Sequence, residues 1–215
     1  MEVKYKSITQ KFKKAEDLQG LKDLNLTPKE YFQLRDIYEL NNFSIYLKSL
    51  IKIDLSGNYV SELILKKFPN VTIVIAAENM INECNLFLPK LQVLNLSSNL
   101  LKTIPNLVQI PELVNLNLSR NLIESISLEE LNPVKKNLQF FDVSFNKINF
   151  SSITNFISFV DGLKFFNIKE FSIQGNEFID SNEILANSYK TLIVISLKDL
   201  VKINGEEKEI SNEFK

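Results

Sequence analysis

The chain contains no histidine, no tryptophan, one cysteine and only five glycines in 215 residues. Each shortage removes a class of chemistry. Without histidine there is no Ser-His-Asp or Cys-His machinery and no imidazole-ligated metal centre. One cysteine, Cys84, cannot build a thiolate zinc site and excludes an internal disulfide, which suits a reducing compartment. Neither GxxxxGKS/T nor GxGxxG occurs, so a phosphate-cradling loop is absent. No apolar run approaches the ~18 residues that a membrane helix needs. The opening MEVKYKSITQKFKK is basic with no apolar run behind it, so no secretory signal is expected. An excess of one charge is missing too. The 25 basic and 26 acidic side chains leave a net −1, so nothing marks nucleic acid or an anionic membrane as an obligatory partner. An intracellular, cytoplasmic location is expected, with nucleus or cilium left open.

What is present is a globular composition, 45% hydrophobic, and a pattern. LQVLNLSSNLL, residues 91 to 101, spaces Leu91, Leu94, Leu96, Asn99 and Leu101 as L-x-x-L-x-L-x-x-N-x-L. The same spacing fits LIKIDLSGNYV from Leu50, VTIVIAAENMI from Val71, LVNLNLSRNLI from Leu113 and LQFFDVSFNKI from Leu138. It fits more loosely at IKEFSIQGNEF from Ile168. The asparagines fall at positions 58, 79, 99, 121, 146 and 176. The alternating x-L-x-L core of each unit marks a short strand with one buried face. The asparagine after it can satisfy backbone groups in the turn that would otherwise be buried unpaired. Asn58, Asn79, Asn99, Asn121, Asn146 and Asn176 are therefore read as a structural ladder. No unit can bury its face alone, so stability has to come from stacking.

This pattern resembles the leucine-rich repeat family. The resemblance implies an α/β right-handed solenoid with a concave parallel sheet, an N-terminal helical cap and a C-terminal repeat cap, in one domain over residues 1–215. Residues 1–46 would form the N-terminal cap and a degenerate repeat, 47–180 six repeats, and 181–215 the C-terminal cap. Ile8, Phe12, Ala15 and Leu18 have helical spacing. LKDLNLTPKEY, from Leu21, reads as the degenerate repeat, with Lys29 in the asparagine slot. The ending YKTLIVISLKDLVKING, Tyr189 to Gly205, resembles the cap shared by the phosphatase-one nuclear regulatory subunit, the spliceosomal A-prime protein and the axonemal dynein leucine-rich light chain. Lys198 and Asn204 stand where that cap has Pro and Asp. Ile153, Phe156, Ile157 and Val160 follow i, i+3, i+4, i+7 and predict a convex helix with its phenylalanines in the core. The other convex segments are short enough for turns or 3₁₀ pieces only.

In such a solenoid the third, fifth and seventh positions of each unit line the concave face. The third-position column is Lys52, Ile73, Val93, Asn115, Phe140 and Glu170. The fifth is Asp54, Ile75, Asn95, Asn117, Asp142 and Ser172; the seventh is Ser56, Ala77, Ser97, Ser119, Ser144 and Gln174. Most are small and polar, but Ile73, Ile75, Val93 and Phe140 are not, and an apolar patch on a polar face marks a protein interface. A one-residue slip of TIVIAAE would instead bury Ile73 and Ile75 and expose Val74. The candidate protein-binding residues are Lys52, Asp54, Ile73, Ile75, Val93, Asn95, Asn115, Asn117, Phe140 and Asp142.

Asp54 and Asp142 lie four rungs apart, ~20 Å at ~4.8 Å per rung, too far for paired carboxylate chemistry. Lys52 is the one cation among these columns, and phosphate contacts need several. No catalytic residue, cofactor or metal is expected. The expected function is a non-enzymatic interaction scaffold or adaptor with protein partners in a larger assembly. The alternative is a structural ribonucleoprotein component that meets RNA mainly through a partner. Cys84, with no basic neighbour in NMINECNLF, reads as a small buried residue.

Overall fold

A computed structural model describes residues 4–5, 18, 20–28, 32–33, 37–181 and 183–208. Its strands are β1 (Lys4–Tyr5), β2 (Asp23–Asn25), β3 (Phe32–Gln33), β4 (Lys52–Asp54), β5 (Glu62–Lys66), β6 (Ile73–Ile75) and β7 (Glu83–Phe87). They continue with β8 (Val93–Asn95), β9 (Asn115–Asn117), β10 (Phe140–Asp142), β11 (Glu170–Ser172), β12 (Lys202–Ile203) and β13 (Glu206–Glu207). The helices are α1 (Tyr38–Asn42), α2 (Leu128–Leu131), α3 (Ile153–Leu163), α4 (Glu177–Asp180) and α5 (Glu183–Ser196), and a 3₁₀ turn covers Asn132–Val134.

One nine-stranded sheet runs in the order β13-β12-β11-β10-β9-β8-β6-β4-β2. Neighbours pair in parallel except β12 with β13. Successive repeats therefore contribute adjacent strands, the arrangement of a solenoid. The register is constant. Leu24, Ile53, Val74, Leu94, Leu116, Phe141, Phe171 and Ile203 stand opposite one another across the sheet. All of these are buried. Val74 is 0% exposed, while Ile73 and Ile75 face away from the core and are half-buried. TIVIAAE has not slipped: Val71, Val74, Ala76 and Ile81 already fill four core sites of the unit, and a shift would put every one of them on the wrong face.

The asparagine ladder explains the period. Asn99 donates from Nδ2 to the carbonyls of Ala76 (2.9 Å), Leu96 (3.0 Å) and Ser97 (3.2 Å). Its Oδ1 accepts from the Ile81 N–H of the preceding repeat at 2.9 Å. Asn79, one rung before, and Asn121 and Asn146, one and two rungs after, make the same four contacts. One buried amide per rung thus ties two repeats and pairs one backbone N–H and three carbonyls around the turn. The residue before each ladder asparagine crosses the left-handed region. Gly57 and Gly175 do so, but so do Glu78, Ser98, Arg120 and Phe145, at φ 54–56°. At ~1–2 kcal/mol for a non-glycine residue, the conformation is held by bonds such as Ser98 N–H to the Ser119 carbonyl, 2.9 Å. Gly175 has a second reason: a Cβ there would stand 2.4 Å from the Phe145 ring.

The convex side departs from the expectation of turns and 3₁₀ pieces. β5 and β7 pair in parallel over five residues as a second sheet. ELILK and ECNLF come from adjacent repeats of nearly equal length, so their backbones meet in register, with Leu63, Leu65 and Leu86 inward. Asn41 on α1 closes the edge: its Nδ2 donates to the Ile64 carbonyl and its Oδ1 accepts from the Lys66 N–H, both at 2.8 Å. In the longer fourth unit, from Leu113, α2 begins with a capping box, Ser127 with Glu130.

Helix α3 forms where its spacing predicts, but Ile157 is 41% exposed rather than core. The buried residues are Phe156, Phe159, Val160 and Leu163. Phe150 packs on Phe156 (5.3 Å), Phe159 (5.5 Å) and Phe178 (5.5 Å), and this aromatic cluster takes the inward sector and rolls Ile157 out. The helix expected from Ile8, Phe12 and Ala15 falls outside the described residues, as does Lys29; Leu18 is buried. At the far end α5 buries Leu185, Tyr189 and Ile193. Asn204 takes up the ladder's role, accepting from the Ile173 and Gln174 N–H groups (3.2 and 3.4 Å) and donating to the Tyr189 hydroxyl at 2.8 Å.

Candidate protein-binding face

Strand alternation places the third and fifth positions on the sheet face opposite the core. The register sets Lys52, Ile73, Val93, Asn115, Phe140 and Glu170 in one row, with Asp54, Ile75, Asn95, Asn117, Asp142 and Ser172 in the next. Ile73, Ile75 and Val93 therefore touch neighbouring rungs and form one apolar patch. Phe140 stands apart, two rungs from Val93 with Asn115 between. All four are half-buried, screened by their row neighbours.

The polar members have a role that sequence reasoning missed. Asp54, Asn95, Asn117 and Asp142 each accept, through Oδ1, the backbone N–H two residues on, at Ser56 (3.1 Å), Ser97 (2.9 Å), Ser119 (3.0 Å) and Ser144 (2.9 Å). Asn25 does the same for Thr27 at 3.0 Å. These side chains end the strand and turn the chain toward the ladder asparagine. The D/N-x-S recurrence was the available signal.

Three further strands extend the face. β2 adds Asp23 and Asn25 at one end, and β12 with β13 adds Lys202 and Glu207 at the other. Lys202 Nζ lies 3.7 Å from a Glu170 oxygen and 3.8 Å from one of Glu207, partly exposed pairs of small energetic weight. The carboxylates of Asp23, Asp54, Asp142, Glu170 and Glu207 thus outnumber the ammonium groups of Lys52 and Lys202, and the face is acidic. Asp54 and Asp142 remain four rungs apart, ~20 Å. Among the described residues no group of three or more cysteine or acidic side chains could hold a metal ion. No helix among them is long and apolar enough to cross a membrane.

The family model of the Leucine Rich Repeat matches residues 90–109, the unit that contains Asn99. A leucine-rich repeat protein of Leptospira interrogans superposes with a TM-score of 0.66 over 88% of this chain and 44% of its own, at 19% identity. The chain folds as a leucine-rich repeat solenoid. Internalin C2 of Listeria monocytogenes shares the fold over 92% of this solenoid and 77% of its own chain, with a TM-score of 0.59 and 18% identity. In sequence, Toll-like receptor 2 type-2 of Gallus gallus is 32% identical in an alignment of 151 residues that covers 66% of this chain. The solenoid spans 19% of that receptor's length.

Away from this face, Cys84 on β7 is partly buried against the core, and burial pushes its thiol from 9.0 up to about 12. Its reaction with a disulfide reagent at pH 8 should be at least about 100-fold slower in the folded chain than in denaturant, since only the thiolate attacks. The linked contribution to stability is fully present below pH 9 and is lost as pH rises toward about 12. Equal rates in the two states would place the thiol in solvent.

Proposed function

We propose that this solenoid is a non-enzymatic protein-interaction scaffold whose partner docks on the concave face, centred on Ile73, Ile75, Val93 and Phe140. The observation that carries the reading is that these large apolar side chains stand on the face opposite the core, in a register that leaves them no part in core packing. Apolar anchors ringed by polar groups dominate interface energetics. Asp54, Asn95, Asn117 and Asp142 form the surrounding polar frame, held rigid by the turns they close, with Lys52 and Asn115 beside the anchors.

An intracellular adaptor role is supported by the ending Tyr189 to Gly205, which is similar to that of known intracellular adaptors, and by a single cysteine packed against the core. The cations available on the face are Lys52 and a Lys202 already shared between two carboxylates, so the reading favours protein over RNA.

The test is affinity capture with the whole chain as bait, followed by titration of the captured protein. Phe140→Ala and Ile75→Asp should each weaken binding by about 2 kcal/mol or more, while the melting temperature of Phe140→Ala stays within a few degrees of the parent. Unchanged affinity in both variants would move the site off this face.

A further inference from the structure

The turn that closes each strand needs a side-chain oxygen, not a charge. Asn25, Asn95 and Asn117 supply it as neutral amides at 3.0, 2.9 and 3.0 Å. Asp54 and Asp142 supply it as carboxylates at 3.1 and 2.9 Å. The repeat is its own control: negative charge at these two positions is surplus to folding.

The surroundings of the two differ. Asp54 shares its face with Lys52, two residues back on the same strand. Asp142 has Phe140 in that place. Its register neighbours are Asn117 and Ser172, with Glu170 beside Phe140 on the next strand. The nearest ammonium on the face is Lys202, which Glu170 shares with Glu207 at 3.7 and 3.8 Å. Phe140 thus presents a half-buried ring between two carboxylates with too few cations to balance them, two rungs from the apolar patch.

We infer that the partner brings a guanidinium to this niche, stacked on Phe140 and paired with Asp142 and Glu170, and an aliphatic side chain to Ile73, Ile75 and Val93. The inference rests on the protein-binding reading of the concave face and specifies its chemistry. Charge complementarity selects a cation. The flat aromatic beside two acceptors selects arginine over lysine, because a planar fork can stack and hydrogen-bond at once. Val93 and Phe140 are two rungs, ~10 Å, apart, so a peptide in the polyproline II form, with three residues per turn and ~3.1 Å per residue, spans them with anchors three residues apart on one side.

The test titrates the whole chain, carbon-13 labelled at isoleucine and valine methyls and phenylalanine rings, with acetyl-Leu-Ala-Ala-Arg-amide, its Lys analogue and its Gln analogue. The Arg peptide should move the Phe140 ring together with the Ile73, Ile75 and Val93 methyls. It should bind about five-fold or more tighter than the Gln peptide, the size of an exposed cation–π and charge contact. Asp142→Asn combined with Glu170→Gln should abolish that difference without moving the melting curve, Asp142→Asn being the residue the repeat already uses at 95 and 117. Equal binding of the Arg and Gln peptides overturns the guanidinium niche while leaving the docking face intact. An Arg-dependent shift of Phe140 with still methyls confirms the niche and overturns the apolar centre instead. No Arg-dependent shift at all overturns the inference.

Discussion

Replacing Asn99 by alanine should cost about 1–3 kcal/mol, because it leaves the buried Ile81 N–H without its partner and takes one of two ladder bonds from the Ala76 and Leu96 carbonyls, which keep Asn79 and Asn121. The side chain is small and polar, so its area alone would forecast little. Asn99→Asp should be worse near neutral pH. It keeps an acceptor for Ile81 but turns a carboxylate toward three carbonyl oxygens, at Ala76, Leu96 and Ser97. The folded state would then favour the protonated acid and raise its pKa above the ~3.9 of a free aspartate. The extra loss is fully present above the raised value and shrinks as pH falls toward ~4. Urea unfolding of both variants beside the parent, at pH 7 and pH 4, checks the size and the sign. A cost below about 0.5 kcal/mol for Asn99→Ala would remove the ladder from the account of stability.

Val74→Asp should lower stability by about 4 kcal/mol or more, since it buries an unpaired charge in a well-packed core. Val74 is 0% exposed and stands between Ile53 and Leu94 in the buried row. Ile75→Asp, one residue on, should cost less than half as much, because Ile75 faces the concave side, where a carboxylate can reach water. The pair is a direct test of register: a slip of one residue exchanges the two outcomes. Thermal melts followed by circular dichroism separate them, and a larger loss at position 75 than at 74 would place Ile73 and Ile75 in the core.

Much of this architecture is legible in one sequence because it is a sum of local rules repeated. Leu94, Leu96 and Asn99 stand in the same relation to each other as Leu116, Leu118 and Asn121. Six such matches determine strand, turn, stacking direction and the buried row without knowledge of any long-range contact. The apolar residues out of place in that scheme, Ile73, Ile75, Val93 and Phe140, are legible for the same reason. A periodic rule makes exceptions visible.

What the tertiary structure decided lies where the rule lapses. The pairing of β5 with β7 depends on two convex segments meeting, and the spacing within either one does not encode it. The inward face of α3 was set by Phe150, just ahead of the helix, and Phe178, from the next unit, which filled the sector Ile157 would have taken. The acidity of the Phe140 end depends on β12 and β13 joining the sheet and holding Lys202 between Glu170 and Glu207. The service of Asp54 and Asp142 as turn-closing acceptors appears only once backbone N–H groups have directions. Periodicity specifies which way a side chain points relative to its own backbone. Which neighbours it meets is specified by packing, and packing is a property of the whole chain.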